Sequence, residues 1–137
     1  MWLVDTSVWI EVFRRIRPLR LEDHASLDEV TTALPIVQEV LQGFDDERAF
    51  QTARDAIMAL PILESPLTDG VFIEAAQIYR SARRAGVTIR SSVDCLIAAC
   101  AIRHQIPVLH IDRDFDRIAT VAPLRARRIA VWERSGA

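Results

Sequence analysis

Two short apolar runs in this chain each end on an aspartate: WLV at residues 2–4 runs into Asp5, and PVLHI at 107–111 runs into Asp112. Each reads as a short buried strand. Further strands are expected at 29–34, at 61–64 (Pro-Ile-Leu-Glu) and at 128–132. The segments between them carry apolar residues at helical spacing. Thr6 or Ser7 can cap a helix through about Arg15, with Val8, Val12 and Ile16 facing inward. Residues 14–26 read as polar and irregular. Pro35 suits the first turn of a helix that carries Ile36, Val40 and Phe44. Asp45 opens another, with Phe50, Ala53, Ile57 and Leu60 inward. A helix over 68–85 closes at Gly86, Ser91 caps one over 92–103, and a short one covers 115–119. Strands alternating with helices in this way predict an α/β fold with a central, mostly parallel sheet and helices on both faces.

The chain has 137 residues, which favours one domain, 1–137, and half of them are hydrophobic, enough for a core without disulfide staples. The formal charge of −2 does not announce a nucleic-acid binder, and every basic residue is Arg. Cys95 and Cys100, five apart, form neither a same-face helical pair nor a CxxC motif, so they read as reduced, buried thiols. Asp5 and Glu11 interrupt the first apolar run and no basic segment precedes it, so no signal peptide is expected. No apolar stretch reaches about 18 residues, so no membrane association and a cytoplasmic protein are the expectation.

The acidic residues carry the functional signal. Asp5 follows a strand, where open parallel sheets gather functional groups, although Asp also caps helices well. Asp94 has Ile97, Ala98 and Ala101 as its helical neighbours, and a carboxylate on such a stripe is costly unless neutralised, paired or metal-bound. Its place three residues after Ser91 also fits a capping box, though Asp reaches back less well than Glu. Asp112, Asp114 and Asp116 alternate after a strand. A calcium loop fails there, because Arg117 and Pro123 stand where Gly and Glu are required. At most two of the three matter for function, and Asp116 reads as the bystander. Glu39 sits on a helix and is able to face inward. His24, His104 and His110 lack metal-ligand spacing. Carboxylates gathered on an apolar scaffold call for a divalent cation, and a metal held by carboxylates points to phosphate chemistry.

At these residues the chain resembles the PIN-domain ribonucleases, and closely the VapC toxins of bacterial toxin–antitoxin systems. The resemblance rests on LVDTSVWIE near the N-terminus, on PIVQEVLQG, and on SVDCLIAACAIRHQIPVLHIDRDFDRIA, and it covers the whole chain. It implies a PIN-like three-layer α/β/α domain and catalytic carboxylates at Asp5, Glu39, Asp94, and Asp112 or Asp114. It implies Mg²⁺ or Mn²⁺ held by Asp5, Asp94 and Asp112, with Ser7 supporting the site. Arg90 and Arg113 are the candidate contacts to RNA phosphates. It further implies single-strand RNA cleavage by metal-activated water, a homodimer, and a small VapB-like antitoxin whose C-terminal segment covers the site. Trp9, Ile10 and Phe13 are the apolar residues expected to pack on a partner. The rival readings are a non-toxin housekeeping ribonuclease and a catalytically inactive binding module on the same scaffold. A phospho-receiver is disfavoured because it needs a Lys, and a haloacid-dehalogenase phosphatase because Asp5 does not open a D-x-D.

Overall fold

In a computed structural model of the chain, residues 1–130 are described. The chain starts in the middle of its own sheet. Strand β1 (Trp2–Val4) leads through helix α1 (Thr6–Val12) to β2 (Val30–Ala33), and helices α2 (Leu34–Leu41) and α3 (Glu47–Met58) lead on to β3 (Ile62–Leu63). The chain then crosses back through α4 (Asp69–Arg84) and α5 (Ser92–His104) to β4 (Val108–His110), and α6 (Arg113–Ala119) leads to β5 (Ala126–Arg128). The order is β3-β2-β1-β4-β5, and every pairing is parallel. The chain thus winds outward from β1 in one direction and from β4 in the other. Right-handed crossovers, the rule for parallel strands, lay the helices of two such windings on opposite faces of the sheet. In keeping with this, α1, α2 and α3 pack on one another in sequence, and α4, α5 and α6 do the same. The reversal falls between β1 and β4, the point where open α/β sheets form their functional crevice.

The expected inward positions place the core. Val8, Ile36, Ala53, Ile57, Ile97, Ala98 and Ala101 are essentially inaccessible, whereas Val12, Phe44, Phe50 and Leu60 are only half-buried. Leu3, Val4, Val108 and Leu109 fill the two central strands. Pro35 lies in the first turn of α2, and Gly86 takes a φ of 72° after α4, a conformation that glycine adopts without a Cβ penalty.

Four local expectations are corrected. The first helix stops at Val12 rather than near Arg15, and Ile16, expected inward, is 76% exposed. Trp9 and Phe13, expected to face a partner, instead pack within the chain. Their rings stack at 5.9 Å, Phe13 meets Phe44 edge-on, and the Trp9 indole N–H donates to the Val4 carbonyl. The third helix is capped by Asp46 rather than Asp45. The last strand forms at Ala126–Arg128 rather than from 128 onward; residues 129 and 130 lie past its end, and the rest of the expected span, 131–132, lies outside the described residues.

Candidate metal-binding active site

The register of the two central strands assembles the site. Leu3 pairs with Val108 and Val4 with Leu109, so Asp5 emerges beside the end of β4. The Asp5 N–H donates to the Leu109 carbonyl. Asp5 also caps α1: its Oδ2 accepts from the Ser7 N–H at 3.0 Å and from the Ser7 hydroxyl at 2.6 Å. The capping and functional readings of Asp5 therefore coexist, because its two oxygens do different things. Oδ1 is buried and has no hydrogen-bond partner. Thr6 and Ser7, expected as caps, support the site instead. Ser7 Oγ accepts from the Ile111 N–H at 3.0 Å, tying Asp5 to the β4 loop. The Thr6 hydroxyl donates to Glu39 Oε1 at 2.8 Å, which brings half-buried Glu39 from α2 to the edge of the site.

Asp94 enters from the first turn of α5. It is 5% exposed, and its Oδ2 is also a buried oxygen without a partner. Asp112 caps α6 through an Asp114 N–H to Oδ1 contact at 2.9 Å. Asp114 is 1% exposed, and its Oδ2 accepts from the backbone N–H groups of Arg90 and Ser91 at 3.0 and 3.1 Å. One ligand atom each from Asp94, Asp112 and Asp114 lies within 4.8 Å of the others. Asp5 lies alongside this compact group, close enough for its charge to act on Asp94.

The electrostatics follow from burial and crowding. Desolvation pushes Asp94 up to about 9, and the charge of Asp5, the hydrogen bond with Asp114 and the charges of Asp112 and Asp114 add to the rise. Desolvation likewise raises Asp5 to about 6, against the Ser7 hydrogen bonds and with help from Glu39. Burial also works against ionised Asp114. The hydrogen bond from Asp94, the two backbone N–H groups and the Arg90 charge outweigh it, leaving Asp114 below the ordinary carboxylate range. Without a cation, then, Asp94 is a protonated donor and Asp114 its ionised acceptor. Two orphaned carboxylate oxygens facing a third and a fourth carboxylate fit a hard divalent ion, which oxygen ligands bind.

The basic candidates divide. Arg90 reaches Asp112 at 3.2 Å and Asp114 at 3.7 Å. Arg113 is exposed on the first residue of α6 and has no ion pair among the described residues. Sequence reading overlooked Arg117, which reaches Asp114 at 3.5 Å, although its place three residues later on the same helix is a readable signal. It also overlooked Thr6 as the partner of Glu39, a contact that needs α1 and α2 to be neighbours. Asp116 turns away from the cluster, towards buried His110 at 3.3 Å and Arg128 at 3.5 Å. Next to Glu39, a cavity of about 360 Å³ opens between α2 and α5, lined by Pro35, Gln38, Phe72, Val93 and Leu96 among others. Phe72, Val93 and Leu96 also line a second cavity of about 490 Å³ that runs out to Arg80 and Arg83 on α4.

Comparison with known proteins gives one consistent picture. The PIN-domain family model matches residues 2–121. Ribonuclease VapC11 of Mycobacterium tuberculosis and a VapC ribonuclease of Mycobacterium bovis are each 42% identical to this chain over 135 residues, covering 92% of it and 97% of their own length. Among solved structures, the DNA-bound VapBC of Salmonella typhimurium matches with a TM-score of 0.74 at 17% identity, covering 93% of this chain and 96% of that one. VapBC-5 of M. tuberculosis matches with a TM-score of 0.70 at 20% identity, covering 93% and 97%. The two structures share the fold.

Proposed function

This chain belongs to the PIN-domain family, and from that membership we propose that all 137 residues form one nuclease domain, a divalent-metal-dependent endoribonuclease toxin of the VapC kind. Its relatives at 42% identity are named ribonucleases, and its structural neighbours include complexes of VapC with VapB. The observation that carries the reading is the pair of buried, unpartnered oxygens on Asp5 and Asp94 at the reversal point of the sheet. Neither carboxylate has an ion pair among the described residues, so a cation from outside is the missing component.

Asp94, Asp112 and Asp114, with Asp5 beside them, would hold that ion, Mg²⁺ or Mn²⁺. Once bound, such an ion polarises a phosphate and lowers the pKa of a coordinated water towards neutrality. The protein's own part is preorganisation. Ser7 and the α1 backbone hold one oxygen of Asp5 so that the other stays fixed. Thr6 holds Glu39 beside the site, where its carboxylate would orient the attacking water. Arg90 and Arg113 supply charge for the flanking phosphates of a single strand. A covalent thiol mechanism has no support, because burial pushes both Cys95 and Cys100 up to about 11. Asp94, protonated without the ion, ionises on binding it. The apolar cavities beside Glu39, ending at Arg80 and Arg83, form the surface on which a VapB-like antitoxin segment shields the site.

The test is cleavage of a single-stranded RNA by the purified chain, freed of any antitoxin. Cleavage is expected with Mg²⁺ or Mn²⁺ and none with excess EDTA. Activity that survives the chelator contradicts the metal mechanism. Expression of the chain alone should arrest growth, and the antitoxin should restore it; normal growth with folded protein would leave a non-toxin nuclease.

A further inference from the structure

Arg90 is anchored through its backbone, while its side chain lies exposed over the site. Its backbone N–H donates to Asp114 Oδ2 at 3.0 Å, and Ser91 begins the next helix, so its Cα is pinned at the wall of the acidic site. Its side chain is 66% exposed, yet the guanidinium turns back over the site, with Nη2 at 3.2 Å from Asp112 Oδ1 and Nε at 3.7 Å from Asp114 Oδ1. Arg117 also reaches Asp114, and in addition the Thr88 carbonyl. Among the described residues Arg90 is the only basic side chain paired with Asp112. That carboxylate is the most accessible of the compact group of three.

Resting on the metal-dependent reading above, we propose that Arg90 is a resident counter-cation that competes with the divalent ion for Asp112 and, once displaced, serves the RNA backbone. An exposed Arg–carboxylate pair is weak, so a doubly charged ion displaces it readily. The displaced guanidinium remains tethered at the rim, where its fork matches a phosphate. One residue thereby offsets part of the carboxylate repulsion in the metal-free protein and adds positive charge for substrate in the loaded one.

The test is Mn²⁺ binding to the full chain without RNA, followed by calorimetry, for the wild type, Arg90→Gln, Arg90→Lys and Arg113→Gln. Arg90→Gln should bind Mn²⁺ about twofold to fivefold more tightly, the scale of one exposed ion pair. Arg90→Lys should stay near the wild type, since the charge is kept. Arg113→Gln removes a charge at the start of α6, next in sequence to Asp112 but not paired with it, and should change the affinity by less than about twofold. In RNA cleavage, Arg90→Gln should need less Mn²⁺ for half-maximal rate while its KM for RNA rises, opposite shifts that general loosening of the site does not produce. Unchanged or weaker Mn²⁺ binding by Arg90→Gln overturns the proposal and leaves the nuclease reading intact. Equal tightening in Arg113→Gln also overturns it, because the effect would then be the general field. Absence of Mn²⁺ binding by the wild type overturns this proposal and the metal reading together.

Discussion

Two carboxylate clusters in this molecule are treated in opposite ways. Beyond β3, Glu64 accepts from Arg103 Nε at 3.0 Å and lies 3.0 Å from His104 Nε2, while Glu74 accepts from the other end of the same guanidinium at 2.7 Å. The Arg103 hydrogen bond holds Glu64 below its ordinary pKa. Asp5 at the end of β1 and Asp94 in the first turn of α5 are more deeply buried, lack a basic partner, and are raised to about 6 and about 9. Seventeen arginines are available to the chain, so the lack of one beside Asp5 and Asp94 is a local feature rather than a shortage. A cluster neutralised from within holds the structure together; one whose two unpaired members, Asp5 and Asp94, are buried without a cation is costly by itself.

The largest expected break in this contrast is in activity. Asp5→Asn and Asp94→Asn should each lower RNA cleavage by orders of magnitude, measured with saturating Mn²⁺. In chelator, Asp94→Asn should be at least as stable as the wild type in urea unfolding, because a neutral amide replaces a group that must take up a proton to be buried there. Arg103→Ala should do the reverse, lowering metal-free stability and leaving Mn²⁺ affinity unchanged. If both variants lose stability alike, the two clusters are of one kind.

The pH dependence sharpens the contrast. Asp5 and Asp94 keep their protons to higher pH folded than unfolded, so unfolding releases protons. The contribution of these two groups to the metal-free protein is therefore fully present below about pH 4, and is lost as pH rises through 6 towards 9. Urea unfolding in chelator should show a loss on the order of 1–3 kcal/mol between pH 5.5 and 8, mostly from Asp94. A flat profile would mean that both groups are already ionised without a cation.

Next in size are Asp112 and Asp114. Asp112 lies at the mouth of the site, and Asn replaces it well as a cap, so Asp112→Asn should cost mainly activity. Asp114 pins the loop before α5 through two backbone N–H groups, so Asp114→Asn should cost stability as well. Equal stability losses in the two variants would remove this distinction. The smallest effect is expected at Asp116. The sequence predicts a silent change there, but its contacts with His110 and Arg128 give Asp116→Asn a stability loss below about 1 kcal/mol with cleavage retained.

Much of this was legible in the residues. Short apolar runs such as WLV and VLH locate the central strands, and Asp94 on an apolar helical stripe is a contradiction visible before any coordinates. The detail that stayed hidden depends on long-range neighbours. The mutual grouping of Asp94, Asp112 and Asp114, with Asp5 alongside, is set by the Leu3–Val108 register and by the Arg90 and Ser91 N–H groups, which local spacing does not encode. The first helix misled because Arg14 and Ile16 continue a helical spacing after Phe13 has turned to pack on Trp9 and Phe44. Likewise, Asp5 was weighed as either a cap or a ligand, and only the geometry separates its two oxygens.

The central claim is that the buried carboxylates await a cation, and thermal unfolding with and without saturating Mn²⁺ tests it most directly. The wild type should be stabilised by Mn²⁺, more strongly at pH 8 than at pH 5.5, since protons compete for the same oxygens. Asp94→Asn should lose most of that gain. Equal stabilisation of the wild type and Asp94→Asn, or none in the wild type at either pH, would contradict the account.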